Sequence, residues 1–127
     1  MSKKRKILIA DDNPHFAKAL KFMLIDSFKE EIHEIDIVPD GEACIEAVNN
    51  KLYDIIFMDV NMPGKNGIEA TRETTMNYRN IVVVAVSFHS EMKYVVQMIE
   101  AGARCYIIKD EINREALKKA LSLEYTF

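Results

Sequence analysis

Long apolar stretches are missing from this sequence. No run approaches the ~20 apolar residues that a membrane-spanning helix needs, and only residues 7–10 separate the basic start from the polar Asp11-Asp12-Asn13. A signal peptide requires a longer apolar segment at that point. We therefore expect a cytoplasmic protein with no membrane contact.

Cysteine is scarce as well. Cys44 and Cys105 are the two cysteines, and they do not have the CxxC spacing of zinc or redox sites. We expect both thiols to be reduced. The chain also has no internal repeat, linker or low-complexity segment, and its 127 residues are enough for one core. The sequence therefore predicts one domain over residues 1–127.

An excess of positive charge is absent too. The formal net charge is -3 at pH 7, which argues against a body built mainly to bind nucleic acid or an anionic membrane. Only residues 3–6 form a strongly basic cluster, which we interpret as a solvated leader to a buried strand. We expect no nucleic-acid binding by this domain alone.

Five short segments have the apolar pattern of strands. Residues 55–58 form a continuous apolar run, typical of a strand buried on both faces, and residues 81–86 are rich in valine. Residues 34–38 alternate charged and apolar side chains, which indicates a strand with one wetter face. The predicted strands cover residues 7–10, 34–38, 54–58, 81–86 and 105–108.

A helical pattern follows each predicted strand. Asn13-Pro14, Asp40, Ser90 and Asp110 have the chemistry of helix starts. The third helix has a weak apolar stripe. The residues expected to face inward in the other helices are Phe16, Ala19, Leu20, Met23, Leu24 and Phe28, then Ala43, Ala47 and Val48, then Met92, Val95, Val96 and Ile99, and finally Ala116, Leu117, Ala120 and Leu121. The alternation predicts an α/β fold, a doubly wound five-stranded parallel sheet with helices on both faces.

Polar side chains follow four of the predicted strands. Parallel strands bring their carboxyl ends to one edge of the sheet, where ligands bind in such folds. The side chains concerned are Asp11 and Asp12, Asp59, Ser87, and Lys109. Each has a separate structural explanation as a cap, a turn residue or a surface charge. Their coincidence at four strand ends instead favours one shared site with Asp59 at its centre.

The charges of these residues indicate a cation. Two like charges ~4 Å apart repel by about 1 kcal/mol in water and by ~4 kcal/mol at an effective dielectric constant of ~20. Lys109 offsets only one of the three aspartates. A site made of carboxylate, carbonyl and water oxygens suits Mg²⁺ or Mn²⁺ rather than zinc. Since such a cation also matches phosphate oxygens, the sequence predicts phosphoryl transfer.

The same residues carry a resemblance to a known family. The matching positions are Asp11-Asp12, residues 59–64, Ser87, Tyr106 and Lys109. Together they resemble the receiver domain of two-component response regulators, and the likeness covers essentially the whole chain. The resemblance implies a phosphorylation-activated signalling switch with the flavodoxin-like strand order 2-1-3-4-5.

The resemblance also implies the roles of the acidic residues. Asp59 would accept a phosphoryl group from a phosphohistidine of a sensor histidine kinase or a phosphotransfer protein. Asp12 would bind Mg²⁺ directly and Asp11 chiefly through water. The backbone carbonyl of Asn61 would supply another ligand beside Asp59 itself.

Further roles belong to the other strand ends. Lys109 and Ser87 would bind phosphoryl oxygens, and Tyr106 would change rotamer with phosphorylation. The fourth helix, fifth strand and last helix would then form an altered surface for a partner or a receiver homodimer. The residues of that surface are Lys93, Tyr94, Gln97, Arg104, Lys118 and Lys119.

Some positions depart from the usual receiver pattern. Ser87 stands where many receivers have threonine, and it keeps the hydroxyl group. Lys109-Asp110 resembles the subgroup that is joined to a helix-turn-helix DNA-binding domain, so transcription is the expected output if such a domain is part of the protein. Phe88 and His89 occupy places where smaller or acidic residues are common, and we expect His89 to be a rim residue that tunes water access.

Two other classes remain as alternatives. A Mg²⁺-dependent aspartyl-phosphate phosphohydrolase carries its nucleophile in a DxD pattern after the first strand, where this chain has Asp11-Asp12-Asn13. A flavodoxin-like electron carrier needs a hydroxyl- and glycine-rich phosphate loop there, and two acids would repel the flavin phosphate. The preferred interpretation is a receiver that catalyses only its own phosphotransfer and dephosphorylation.

Overall fold

A computed structural model of the chain describes residues 4–123, so the predicted domain of residues 1–127 exceeds the described part at both ends. Strands and helices alternate along this part, as the sequence predicts. The strands are β1 (Arg5–Ala10), β2 (Ile32–Val38), β3 (Ile55–Met58), β4 (Val82–Ser87) and β5 (Cys105–Ile108). The helices are α1 (Pro14–Phe28), α2 (Gly41–Asn50), α3 (Gly67–Asn77), α4 (Met92–Ala101) and α5 (Arg114–Leu121), and 3₁₀ turns cover Lys29–Glu31 and Lys109–Glu111.

The strands form one sheet in the order β2-β1-β3-β4-β5, and every neighbouring pair is parallel. This arrangement confirms the predicted α/β class and the order 2-1-3-4-5. Because the strands run in the same direction, β1, β3, β4 and β5 all end at one edge. The sequence predicts the functional site at that edge.

The sheet separates two apolar layers. Ile7 and Ile9 of β1 belong to the layer built with α1 and α5, whereas Leu8 and Ala10 belong to the layer built with α2, α3 and α4. Every residue of β3 is buried, as predicted for a strand covered on both faces. Packing from both sides therefore fixes the end of β3, where Asp59 follows.

Two predicted helix starts are confirmed. The Asn13 side chain accepts hydrogen bonds from the amides of His15 and Phe16 at the start of α1. The Asp40 side chain accepts a 2.8 Å hydrogen bond from the Ala43 amide at the start of α2. These bonds satisfy amide groups that have no partner within the helix itself.

Two other predicted caps are wrong. Ser90 does not cap α4, because the loop after β4 continues to Glu91, which precedes the helix without a side-chain cap. Asp110 does not cap α5, because it lies inside the 3₁₀ turn that follows β5. The cap of α5 is Asn113, whose side chain accepts a 2.8 Å hydrogen bond from the Ala116 amide.

Helix α4 turns a different face inward from the predicted one. Met98 and Ala101 are its buried residues, whereas Met92 is 71% exposed, Val96 43% and Ile99 47%. Apolar residues occupy more than one side of this helix, so their periodicity does not fix its orientation. The result is an exposed apolar stripe on α4.

Smaller differences concern the first two helices and the amino terminus. Helix α1 buries Ala17 and leaves the predicted Ala19 exposed, and α2 buries Cys44 together with the predicted Val48. Of the basic cluster at residues 3–6, Lys3 lies outside the described part of the chain. Over residues 4–123, no helix combines the length and apolarity needed to cross a bilayer.

Candidate functional site

The ends of β1, β3, β4 and β5 bring together the polar residues that the sequence predicts to share one site. Asp11 is 3% exposed, Asp59 7%, Ser87 1% and Lys109 6%. Asp12, next to Asp11, is exposed. Polar groups so far out of water need protein partners or a bound ligand, and the contacts described below supply part of that requirement.

Asp11, Asp12 and Asp59 form a cluster of carboxylates. One oxygen from each of the three side chains lies within 4.8 Å of the others. Asp11 Oδ1 also accepts a 2.9 Å hydrogen bond from the Asn13 amide, which fixes this carboxylate at the start of α1. Carboxylate oxygens at such spacing are a donor set that suits Mg²⁺.

The backbone at Asp59 is fixed by two neighbouring segments. The Asp59 amide donates a 2.9 Å hydrogen bond to the carbonyl of Ala10, and the Gly67 amide donates a 2.8 Å bond to the carbonyl of Val60. A Cβ atom at Gly67 would lie 1.8 Å from the Asp59 carbonyl oxygen. Only glycine therefore allows α3 to approach so closely. Sequence reasoning missed this role, because spacing alone does not show how near a helix comes to a strand end.

Lys109 supplies the positive charge of the site. Its Nζ atom lies 2.8 Å from Asp11 Oδ2 and 3.7 Å from Asp59 Oδ2. The same atom lies 4.3 Å from the ring centroid of Phe16 and 5.0 Å from that of Phe88. Sequence reasoning placed Phe16 in an apolar stripe and Phe88 beside Ser87, and it missed that both rings face one ammonium group.

The surroundings of Asp59 favour its protonated form. Burial, followed by the negative charge of Asp11, raises the pKa of Asp59 from 3.8 to about 7, and the charge of Lys109 opposes this rise only in part. Without a cation, Asp59 is therefore partly protonated near neutral pH. A bound divalent cation would favour the ionised carboxylate, which is the nucleophilic form.

His89 joins the end of β4 to several neighbouring segments. Its amide donates a 3.1 Å hydrogen bond to Ser87 Oγ, and its carbonyl accepts a 2.7 Å bond from the Tyr106 hydroxyl. Its ring contacts the side-chain amide of Asn61 and lies 3.2 Å from a carboxylate oxygen of Glu91. Sequence reasoning placed His89 at the rim but missed these contacts, because they connect loops that are distant in sequence.

Asn61 lies at the solvent-facing side of the site. It is exposed, and the structure places its side chain against the His89 ring. The predicted role of its backbone carbonyl as a metal ligand stays a prediction. The roles predicted for Ser87 and Tyr106 stay predictions as well.

A surface formed by α4, β5 and α5, called here the α4–β5–α5 face, carries both apolar and basic side chains. Met92, Val96 and Ile99 are exposed on α4. The exposed polar residues on or next to these elements are Lys93, Gln97, Arg104, Lys118 and Lys119. Tyr94 is half-buried, and its ring centroid lies 4.4 Å from that of His89. The face is therefore in contact with the loop beside the candidate site.

Comparison with known proteins relates the chain to one family. The model of the Response regulator receiver domain matches residues 7–122. The transcriptional regulatory protein DegU of Brevibacillus brevis is 34% identical over 120 residues, which are 94% of this chain and 50% of that protein. The chain spans about half the length of the curated relatives it matches. Similarity to DegU is consistent with the predicted resemblance to helix-turn-helix-linked receivers.

Solved structures show the same fold. The signal receiver domain of NarL from Mycobacterium tuberculosis has a TM-score of 0.82 at 24% identity, covering 95% of this chain and 99% of that one. The receiver domain of a Pseudomonas aeruginosa sensor histidine kinase has a TM-score of 0.79 at 26% identity, covering 93% and 94%. That second structure has a magnesium ion coordinated in its active site cleft. With the family match over most of its length, this chain belongs to the response regulator receiver domains of two-component signalling.

Proposed function

We propose that Asp59 accepts a phosphoryl group from a phosphohistidine of a sensor histidine kinase or a phosphotransfer protein. The observation that carries this proposal is the strand-end cluster. One carboxylate oxygen of Asp59 lies within 4.8 Å of an oxygen of Asp11 and of Asp12, and Asp59 Oδ2 lies 3.7 Å from Lys109 Nζ. Family membership argues against the phosphohydrolase and electron-carrier alternatives. The reaction serves a signalling switch and does not turn over an external substrate as a classical enzyme does.

The proposed transfer is a direct displacement at phosphorus. A carboxylate oxygen of Asp59 forms a bond to phosphorus while the P–N bond of phosphohistidine breaks. The bonding electron pair leaves with the imidazole nitrogen, which takes up a proton from solvent. With acetyl phosphate the P–O bond breaks instead and acetate leaves. We propose that Lys109 stabilises charge on the phosphoryl oxygens and that the Ser87 hydroxyl hydrogen-bonds one of them.

Mg²⁺ fits the residues of this site. Asp11, Asp12 and Asp59 supply carboxylate oxygens, and the backbone carbonyl of Asn61 is the proposed fourth protein ligand. When all three acids are ionised, three negative charges face the single positive charge of Lys109, an excess of two. Burial, followed by the neighbouring negative charge of Asp11, raises the pKa of Asp59. Bound Mg²⁺ would neutralise the excess negative charge and would match the phosphoryl oxygens.

We further propose that phosphorylation changes the α4–β5–α5 face. Ser87 and Tyr106 both hydrogen-bond the backbone of His89: Ser87 Oγ accepts a bond from the His89 amide, and the Tyr106 hydroxyl donates one to the His89 carbonyl. If the Ser87 hydroxyl moves toward a phosphoryl oxygen, the loop that holds Tyr106 changes too, and this loop leads into α4. The exposed apolar residues of α4 would then contact a partner or the same face of a second receiver.

The proposed output is transcription, in a protein where this receiver is joined to a helix-turn-helix domain. The support is the similarity to DegU, a transcriptional regulatory protein about twice as long as the matched region. An output of this kind uses the receiver as a regulated dimerisation or docking module. The direct test is whether the encoded protein continues beyond residue 127 into a helix-turn-helix domain.

The phosphorylation proposal is tested with acetyl phosphate and intact-mass measurement. Wild type should gain one phosphoryl group in Mg²⁺ and much less in excess EDTA. Asp59→Asn should gain none, because no nucleophile remains. Asp26→Asn, at an exposed aspartate of α1, is the matched control and should be labelled as wild type is. Equal labelling of wild type and Asp59→Asn would reject the assignment.

A further inference from the structure

Among residues 4–123, four groups lie close to the Lys109 ammonium. Two are the carboxylates of Asp11 and Asp59, at 2.8 Å and 3.7 Å, and two are the rings of Phe16 and Phe88, with centroids at 4.3 Å and 5.0 Å. The side chain of Lys109 is only 3% exposed. Water therefore contributes little to its solvation, and the rings stand where water would otherwise be.

The two rings come from separate parts of the chain. Phe16 lies in the first turns of α1 and is half-buried, whereas Phe88 follows Ser87 directly and is 57% exposed. Their centroids are 6.4 Å apart at an interplanar angle of 62°, an edge-to-face contact. Both ring centroids lie within ~6 Å of Lys109 Nζ, the range in which a ring attracts a cation. Core packing accounts for Phe16 but not for Phe88, because an aromatic ring that is more than half exposed gains little from burial.

Aromatic rings meet a particular requirement of this site. A lysine removed from water needs compensating attraction, yet a fourth carboxylate would repel the phosphoryl group that has to enter. A ring face attracts the ammonium without net charge. It also leaves the direction of each N–H bond unrestricted, so the ammonium can turn from Asp11 toward a phosphoryl oxygen while it keeps its contacts with the rings.

We propose that Phe16 and Phe88 are positioning residues for phosphoryl transfer, which hold the Lys109 ammonium beside Asp59 by cation–π contact. This inference rests on the proposed function of Asp59. Phe16 fixes the ammonium from the side of α1. Phe88 contacts the same ammonium and directly follows Ser87 in the chain. The segment of residues 87–88 therefore positions both predicted phosphoryl ligands, Ser87 and Lys109.

The test compares leucine and tyrosine at both positions. Phe16→Leu and Phe88→Leu keep apolar bulk but remove the ring face, whereas Phe16→Tyr and Phe88→Tyr keep the ring face. In Mg²⁺ and saturating acetyl phosphate, each leucine variant should be labelled roughly fivefold to thirtyfold more slowly than wild type. The tyrosine variants should stay close to the wild-type rate. Phe22→Leu is the matched control, since Phe22 also lies on α1 but is 73% exposed on its outer side.

A second readout does not depend on labelling. Protons held over an aromatic face resonate upfield, so the εCH₂ protons of Lys109 should be shifted upfield in the wild-type NMR spectrum. They should move toward ordinary lysine positions in the leucine variants and stay in place in Phe22→Leu. Thermal melts establish that each variant is folded. If Phe16→Leu does not fold, Phe88→Leu at the more exposed position still decides the question.

The outcomes separate this inference from the function on which it rests. If wild type is not labelled at Asp59, the proposed function fails. The εCH₂ proton shifts of Lys109 then still show whether the two rings contact its ammonium group. If labelling occurs but the leucine variants react at the wild-type rate, the positioning role is rejected. Tyrosine variants that are as slow as the leucine variants would also reject it, because packing rather than the ring face would then be responsible. The positioning role is also rejected if the εCH₂ protons of Lys109 in wild type resonate at ordinary lysine positions.

Discussion

The Tyr106 hydroxyl donates a 2.7 Å hydrogen bond to the backbone carbonyl of His89. This bond ties β5 to the loop that leads from β4 into α4. Burial raises the pKa of the Tyr106 hydroxyl, so it remains a protonated donor at neutral pH. A change of rotamer at Tyr106 would break this bond and remove one of the contacts that hold the loop, beside those that His89 makes with Ser87 and Asn61.

Tyr106→Phe should loosen the loop without blocking phosphorylation. Loss of one hydrogen bond lowers the free energy of unfolding by about 1 kcal/mol, and the amide resonances of α4 should move even without a phosphoryl group. Tyr53→Phe is the matched control, because it removes a 2.6 Å hydrogen bond to Asp36 next to the opposite end of β3. It should lower stability but leave α4 unchanged. Equal spectra of α4 in Tyr106→Phe and wild type would contradict the proposed coupling.

Asp59 should make stability depend on pH in the absence of a divalent cation. Its pKa is about 7 in the folded protein and near 3.8 in the unfolded chain. Between these values the unfolded chain loses a proton that the folded protein keeps, so stability falls as pH rises from about 4 to 7 and then levels off.

Asp59→Asn removes this titration. At about pH 8 in EDTA it should be more stable than wild type by roughly 1–3 kcal/mol, and at about pH 3 the two should be alike. Mg²⁺ should stabilise wild type more than the variant. Denaturant unfolding at several pH values measures the difference. A metal-free variant that is less stable than wild type at pH 8 would mean that the carboxylates do not repel as described.

Much of the site follows from sequence because it depends on strand ends. Once alternation predicts parallel strands, Asp11, Asp59, Ser87 and Lys109 must share an edge, and the structure places them there. Contacts that join loops are different. The approach of Phe88 to Lys109 depends on how the loop after β4 folds over β5, and no local pattern encodes it.

The errors of sequence reasoning have a common physical cause. Helix α4 has apolar residues on several sides, and Met98 is buried because it packs into the apolar layer on that face of the sheet. Ala101, one turn further along α4, is buried as well. The predicted caps Ser90 and Asp110 have suitable side chains, but loop length decides where each helix begins. Local chemistry fixes which residues can cap a helix, and tertiary packing fixes which one does.

Gly67→Ala tests the close approach of α3 to Asp59. The new Cβ atom would lie 1.8 Å from the Asp59 carbonyl oxygen, so the backbone must move, at a cost of about 1–3 kcal/mol or more. Labelling by acetyl phosphate should slow as well, because Asp59 moves relative to Lys109. Met76→Ala, at a 75% exposed position of the same helix, is the control and should change neither property. A Gly67→Ala protein with wild-type stability and labelling would contradict the described contact.

Ser87 alone should be too weak to complete the switch. A hydrogen bond to a charged group contributes roughly 1.5–3 kcal/mol, whereas moving a two-state equilibrium from 1:99 to 99:1 takes about 5.5 kcal/mol of differential binding. Ser87→Ala should therefore accept a phosphoryl group but shift only partly to the active conformation. Lys109→Ala should lose more, and it should also destabilise the protein by roughly 3–5 kcal/mol, because it leaves Asp11 buried without its 2.8 Å partner.

The comparison uses beryllofluoride, a phosphoryl mimic, with Mg²⁺ and NMR of the Tyr106 ring. Wild type should show the full change in ring environment, Ser87→Ala a partial change at saturation, and Lys109→Ala the smallest change and the weakest binding. Ser122→Ala is the control for loss of a serine hydroxyl, because it removes the hydroxyl at the end of α5, away from the strand-end cluster. If Ser87→Ala shows the full wild-type change, the 3.1 Å bond from the His89 amide to Ser87 Oγ is a turn contact only. Lys109 and the loop amides beside Asp59 would then have to supply the whole of the switching energy.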